Sequence, residues 1–236
     1  MADEAVNKPT PKEAAAIAAD VYKKVGGKLP GGWVRSSAKS GIKYNDDKTG
    51  LQSGLYQRPK ADGSIEYVYA TAGTNDAQDA KQDATQLVGQ STQLQQSVGI
   101  ATTLNTDLRN SELTFVGHSL GGADATADAM ATGRDAITFN AAGLSSATIS
   151  NLKLNQGANI DTYRVNGEIV GAAQGLIGIQ SQGTMHMLGG GLGNSFMGQV
   201  MSTATELTKP MPIQFMDAVR GIMLHSIDTV NKLMGN

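Results

Sequence analysis

Residues 117–121 read Gly-His-Ser-Leu-Gly, and Ser119 at their centre is the side chain best placed to attack an electrophile. A serine hydroxyl is a weak nucleophile alone. It needs a base to take its proton and fixed donors for the oxyanion its attack creates. The G-x-S-x-G spacing serves that end, because glycines two before and two after the serine remove Cβ atoms where a strand and a helix nearly touch. An apolar stretch, Leu-Thr-Phe-Val, precedes the motif, and a helical pattern from Ala123 to Ala131 follows it. That context separates the motif from a chance match in a chain with 29 glycines. Ser119 then stands at a helix N-terminus, where unpaired N–H groups and the helix field favour negative charge. The backbone N–H of Leu120 is the first candidate oxyanion donor. The chemistry is acyl transfer.

A base must come from three histidines, His118, His186 and His225. His118 fills the variable position of the elbow formed by Gly117, His118 and Gly121, and reads as structural. His186 lies in a Gly/Met-rich segment and reads as a surface or lid residue. His225 follows the nucleophile in the chain and opens His-Ser-Ile-Asp-Thr-Val-Asn-Lys-Leu-Met, with Ser226 as a helix cap. The chain has no cysteine, so thiolate catalysis and disulfides are excluded. No HExxH or EF-hand pattern occurs, and Gly-Gly-Gly-Leu-Gly at 189–193 lacks the Lys and Ser/Thr of a phosphate loop. The expectation is no metal and no cofactor. A net charge of -2, with no basic patch interleaved with aromatics, argues against nucleic acid as a partner.

The elements that must position Ser119 follow from alternating patterns. Residues 12–24 are Ala-rich and read as a helix, with Thr10 as cap, Pro11 in its first turn and Gly26–Gly27 as its stop. Residues 54–58 and 65–71 read as strands joined by a turn at Ala61-Asp62-Gly63. Residues 76–108 read as one long helix, or two separated near Gly99. Strands follow at 113–116, 136–139 and 160–165, with helix from Ala123 to Ala131 closed by Gly133. Residues 171–194 lack a clean period and read as a long loop with short helical pieces. Residues 215–224 and 227–234 read as helical. Strands separated by crossovers build an α/β fold with a mostly parallel central sheet and flanking helices.

The segment Phe-Val-Gly-His-Ser-Leu-Gly-Gly resembles the nucleophile elbow of the class 3 lipases, the fungal triacylglycerol lipase type, and of bacterial phospholipase A1-like members. The resemblance extends to Ala141-Ala142-Gly143 and back to Tyr69-Ala70-Thr71-Ala72-Gly73-Thr74, and covers residues 50 to 170 best. It implies the α/β-hydrolase fold and a lipid ester as substrate. It also implies Thr74 as the second oxyanion donor. Glu168, after Tyr163-Arg164-Val165, stands where family members usually carry Asp, and the resemblance implies it as the triad acid. Asp161, at the start of its strand, and Asp217, in a helical context, compete for that role. His225 matches the family's C-terminal base.

These readings describe a single domain over residues 1–236 with a flexible leader to about residue 11. The apolar residues scattered through 171–216 suit either core packing or a lid that meets lipid. The start lacks the apolar core of a conventional signal peptide, so the expectation is a cytoplasmic protein or one exported by a dedicated secretion system. Its partners would be a lipid or phospholipid ester, a membrane surface touched peripherally, and an immunity protein if the chain is an effector. A soluble carboxylesterase or thioesterase is the alternative enzyme. Glu168 and the polar Ala-Asp-Ala-Thr-Ala-Asp-Ala helix also leave room for an inactive lipase-like scaffold.

Overall fold

A computed structural model describes residues 8–37, 39–73, 92–155, 157–165, 182–188 and 227–236. Strands β1 (Val34–Arg35), β2 (Asn45–Asp46), β3 (Leu51–Pro59) and β4 (Ile65–Thr71) come first, after helix α1 (Pro11–Asp20). Helix α2 (Thr92–Asp107), β5 (Leu113–His118), α3 (Leu120–Thr132), β6 (Asp135–Phe139), α4 (Ser146–Asn151), β7 (Ile160–Val165) and β8 (Thr184–Leu188) follow. Residues 227–233 form a last helix, α5.

The sheet runs β1-β3-β4-β5-β6-β7-β8, with β2 on β3. Strands β1, β3 and β4 pair antiparallel, while β4 through β8 pair parallel. Each parallel step from β4 to β7 is bridged by a helix, as parallel neighbours require. Strand β5 lies in the middle with all six residues buried, and its carboxyl end delivers Ser119.

The two faces of the sheet carry separate cores. Helices α2 and α3 cover one, through Leu104, Ala125 and Met130 against Leu113 and Phe115. Helices α1 and α5 cover the other, through Ile17 and Val230 against Val116, Ile137 and Phe139. The polar letters of α3 turn inward: Asp124 accepts from Gln93 Nε2 at 2.6 Å and Asp128 from Ser97 Oγ at 2.8 Å. Burial and the neighbouring Asp124 push the Asp128 carboxyl well above its usual range. The polar sequence of this helix is therefore an α2–α3 packing contact, and does not mark a surface made for a partner.

Two expectations, the end of the first helix and the loop at 171–194, need correction. Helix α1 keeps its Thr10–Glu13 capping box and Pro11 start, but ends at Asp20 and does not reach residue 24. The Asp20 side chain explains the early end: its Oδ1 accepts from Gly27 N–H at 2.9 Å and its Oδ2 from Arg35 Nε at 2.9 Å, which turns the chain out of the helix. Of the helical span expected at 76–108, residues 92–107 form one helix that runs through Gly99, in keeping with the unbroken reading, and residues 76–91 lie outside the described residues. Within the expected loop at 171–194, residues Thr184–Leu188 form β8, parallel to β7. Residues 8–11, at the border of the expected leader, are held: Lys8 Nζ reaches Asp161 Oδ2 at 3.1 Å.

Candidate active site

Ser119 sits between β5 and α3 with φ 58 and ψ -123, a backbone geometry that costs a non-glycine residue roughly 1–3 kcal/mol. Surrounding bonds hold it there. Its N–H donates to Phe139 O at 3.0 Å, and its carbonyl accepts from Gly122 N–H and Ala142 N–H, each at 3.0 Å. The elbow is thus bolted to the end of β6 and to the first turn of α3.

The flanking glycines are sites of contact. A Cβ on Gly117 would strike the Gly121 carbonyl, and one on Gly122 would lie 2.6 Å from the Ala141 Cβ. A Cβ on Gly121 would lie 2.6 Å from the Ala72 carbonyl carbon and nearer still to the Thr71 oxygen. Thr71 Oγ1 in turn donates to the Gly121 carbonyl at 2.7 Å. The helix start, the serine strand and the end of β4 therefore meet at backbone distance. Leu120 is the first residue of α3, so its N–H is one of the four that have no partner inside a helix.

Gly73, at the end of β4, packs against the serine: a Cβ placed on it would lie 3.1 Å from Ser119 Cβ. Its N–H donates to the Tyr22 hydroxyl at 2.7 Å, and that hydroxyl lies 2.9 Å from His118 Nδ1. In the arrangement that satisfies all three groups, the phenol accepts from Gly73 and donates to Nδ1, leaving the imidazole proton on Nε2. Burial pulls the His118 pKa down to about 4 and pushes the Tyr22 phenol up, so both are neutral near pH 7. His118 is therefore a buried structural acceptor.

Asn140, with φ 45, receives the end of β7. Its Oδ1 accepts from Val165 N–H at 2.9 Å, and its own N–H donates to Tyr163 O at 2.8 Å. Val165 is the last described residue before the segment that carries Glu168. Tyr22 and Asn140 escaped sequence reasoning. The positive φ at Asn140 suits its residue type, but nothing local marks Tyr22.

Thr74, Glu168, His225 and Asp217 lie outside the described residues. The other candidates do not converge on Ser119. Asp161, near the amino end of β7, accepts a 2.8 Å contact from His186 Nε2 on β8 and binds Lys8. His186 also stacks on Tyr163 at 4.6 Å between centroids. This pair ties β7, β8 and the start of α1 together, with His186 level with His118 but three strands away across the sheet. Among the described residues no group of His, Cys, Asp and Glu is arranged to hold a metal ion.

Exchanging Tyr22 for Phe removes the acceptor of Gly73 N–H and a buried partner of His118. Each group left unpaired costs about 1–3 kcal/mol. Steady-state kinetics of Tyr22→Phe on a soluble ester should show kcat down roughly tenfold with KM within about twofold. A wild-type kcat would mean that other contacts hold the Gly73 turn.

The comparisons with known proteins agree with this geometry. A family model described as phospholipase-like, for Tle-like phospholipase domains, matches residues 13–216. An extracellular phospholipase A1 of Serratia liquefaciens is 35% identical over 152 residues, which is 61% of this chain and 46% of that protein. The chain thus spans under half the length of this relative. The fold matches a triacylglycerol lipase from Penicillium expansum with a TM-score of 0.53 at 14% identity, over 77% of this chain and 79% of that one.

Proposed function

Because the chain belongs to the phospholipase-like family of Tle-like phospholipase domains, we propose that it is a serine esterase that cleaves an acyl ester of a glycerophospholipid, with Ser119, Glu168 and His225 as its triad. The observation that carries this reading is Ser119 itself, strained at φ 58 between β5 and α3 with the Gly73 turn against its Cβ. The structure of a lipid-ester hydrolase supplies the frame, and the triad supplies the chemistry.

His225 takes the proton of Ser119 Oγ as that oxygen bonds to the ester carbonyl carbon. The carbonyl oxygen becomes the oxyanion and is met by the backbone N–H groups of Leu120 and Thr74. His225 then gives its proton to the leaving alcohol oxygen as the ester C–O bond breaks, leaving an acyl-Ser119. Water, deprotonated by His225, attacks the acyl carbon; collapse frees the fatty acid and returns the proton to Oγ. Glu168 holds the imidazole tautomer and stabilises the imidazolium throughout. Glu is one methylene longer than Asp, so its carboxylate needs a β7 end set slightly back, and the Asn140–Val165 bond fixes where that end lies.

A phospholipase A1 by definition cuts the sn-1 ester, and the Serratia likeness supports that regiochemistry here. Product analysis tests the proposal. Phospholipid vesicles should yield free fatty acid and a lysophospholipid that retains its sn-2 chain, faster than a triacylglycerol emulsion yields fatty acid. Release of acyl groups from a soluble short ester alone would leave a soluble carboxylesterase; release from none would sink the enzyme reading.

A further inference from the structure

The net charge of -2 conceals an asymmetry. Residues 21–45 carry six cations, Lys23, Lys24, Lys28, Arg35, Lys39 and Lys43, and no Asp or Glu. Three of them are committed to structure. Arg35 pairs with buried Asp20 at 2.9 Å, Lys39 with Asp107 at 3.4 Å and Lys43 with Asp46 at 3.0 Å. Lys23, Lys24 and Lys28 are exposed and make no salt bridge among the described residues. Between them stands Val25, 81% exposed, the most exposed of the large apolar side chains described.

This loop is built. Asp20 Oδ1 closes it by accepting from Gly27 N–H, and the Arg35 guanidinium grips it from below, donating to the Asp20 carbonyl at 2.5 Å and to the Lys23 carbonyl at 2.8 Å. Gly26 lies so close to Arg35 that a Cβ would meet Cδ at 2.9 Å. A clasped backbone thus presents an apolar tip flanked by three lysines that make no salt bridge among the described residues, the combination of apolar and cationic groups that suits an anionic interface.

Its position is set by α1. That helix starts beside Lys8, which binds Asp161 and Asp135 at the amino ends of β7 and β6. It ends beside Tyr22, which binds Gly73 and His118 at the carboxyl ends of β4 and β5. Residues 23–28 therefore start at the edge of the sheet where Ser119 lies and turn back to Asp20 and Arg35.

We infer that the loop 23–28 is the element that docks this protein on an anionic phospholipid surface, with Val25 entering the interface and Lys23, Lys24 and Lys28 facing lipid phosphates. The inference rests on the reading that Ser119 acts on a glycerophospholipid, and it names how the site is brought to its substrate. A lysine near an anionic membrane surface contributes attraction that fades within about a Debye length, roughly 8–10 Å at ordinary salt. The Tyr22 hydroxyl is the joint that keeps the docked loop and the nucleophile in one register.

Binding is measured with the full chain carrying Ser119→Ala, so that the vesicles survive. Cosedimentation uses phosphatidylcholine vesicles with and without phosphatidylglycerol. The Ser119→Ala protein should bind the phosphatidylglycerol vesicles in a salt-sensitive way. Adding K23E, K24E and K28E should weaken that binding on the order of a hundredfold, and Val25→Ser should weaken it at high salt as well. In the active background the three charge reversals should leave soluble-ester turnover and Tm at wild-type values. Unchanged vesicle binding by the charge-reversed protein would overturn the inference. So would a loss of soluble-ester turnover, which would give the lysines to the chemistry. Absence of binding by the unreversed protein would overturn it too, and point to an acidic protein surface as partner. Failure of the function reading is distinct: soluble-ester turnover that survives Ser119→Ala removes the nucleophile and leaves the vesicle measurements standing.

Discussion

Replacing Ser119 with alanine is expected to lower kcat by a factor on the order of 10⁴–10⁶ while leaving the fold intact. The size follows from what the hydroxyl does. In the proposed mechanism it forms the bond that divides hydrolysis into two steps. The residual rate comes from the oxyanion donors and from substrate binding. Stability should move by no more than about 0.5 kcal/mol, because the side chain makes no capping bond to α3 and alanine meets the same positive φ. Fluorophosphonate labelling gives an independent reading: the wild-type protein should be tagged at Ser119 and the alanine variant not at all. A tag on a different serine, or turnover that survives the exchange, rules out the assigned nucleophile.

Gly121→Ala should be nearly as damaging by another route. Its Cβ must displace the backbone of Thr71 and Ala72, which cannot swing aside as a side chain can. Overpacking of this kind costs about 3 kcal/mol or more, a fall in Tm of roughly 6–12 °C for a chain of this size. The same shift moves the end of β4, and with it Gly73, away from Ser119, so activity should fall beyond the loss of stability. Gly133→Ala is the control. Gly133 closes α3 at φ 73 with open space around it, so the exchange costs about 1–2 kcal/mol of backbone strain and leaves kcat alone. Thermal melts and soluble-ester kinetics on the two variants separate the cases.

The elbow was legible in the sequence because its physics is local. A serine on a strand-to-helix turn needs missing Cβ atoms at fixed offsets, and Gly117, Gly121 and Gly122 provide them. Strands β4 to β7 were legible for a similar reason, since apolar and β-branched runs between turn residues leave few alternatives. Strand β8 was not. Thr-Met-His-Met-Leu has one β-branched residue and lies among glycines, so only pairing with β7 makes it a strand. The end of α1 is not legible locally, because propensity favours helix up to Gly26, whereas Asp20 is drawn into bonds with Gly27 and with Arg35, fifteen residues on. The Tyr22–Gly73–His118 contact joins three segments far apart in the chain, and no window of sequence contains it.

That last contact also bears on the order in which the molecule is made. Tyr22 meets His118 across 96 positions, and Lys8 meets Asp161 across 153. Helix α1 leaves the ribosome long before the strands that receive it, and contacts of such span form late and slowly. Until β5 and β7 are in place, the phenol has nothing to bridge and the Gly73 turn nothing to hold it against the serine. Completion of the turn at Gly73 is thereby deferred to the closing stage of folding, so a half-made chain carries the serine before the contact that packs Gly73 against it.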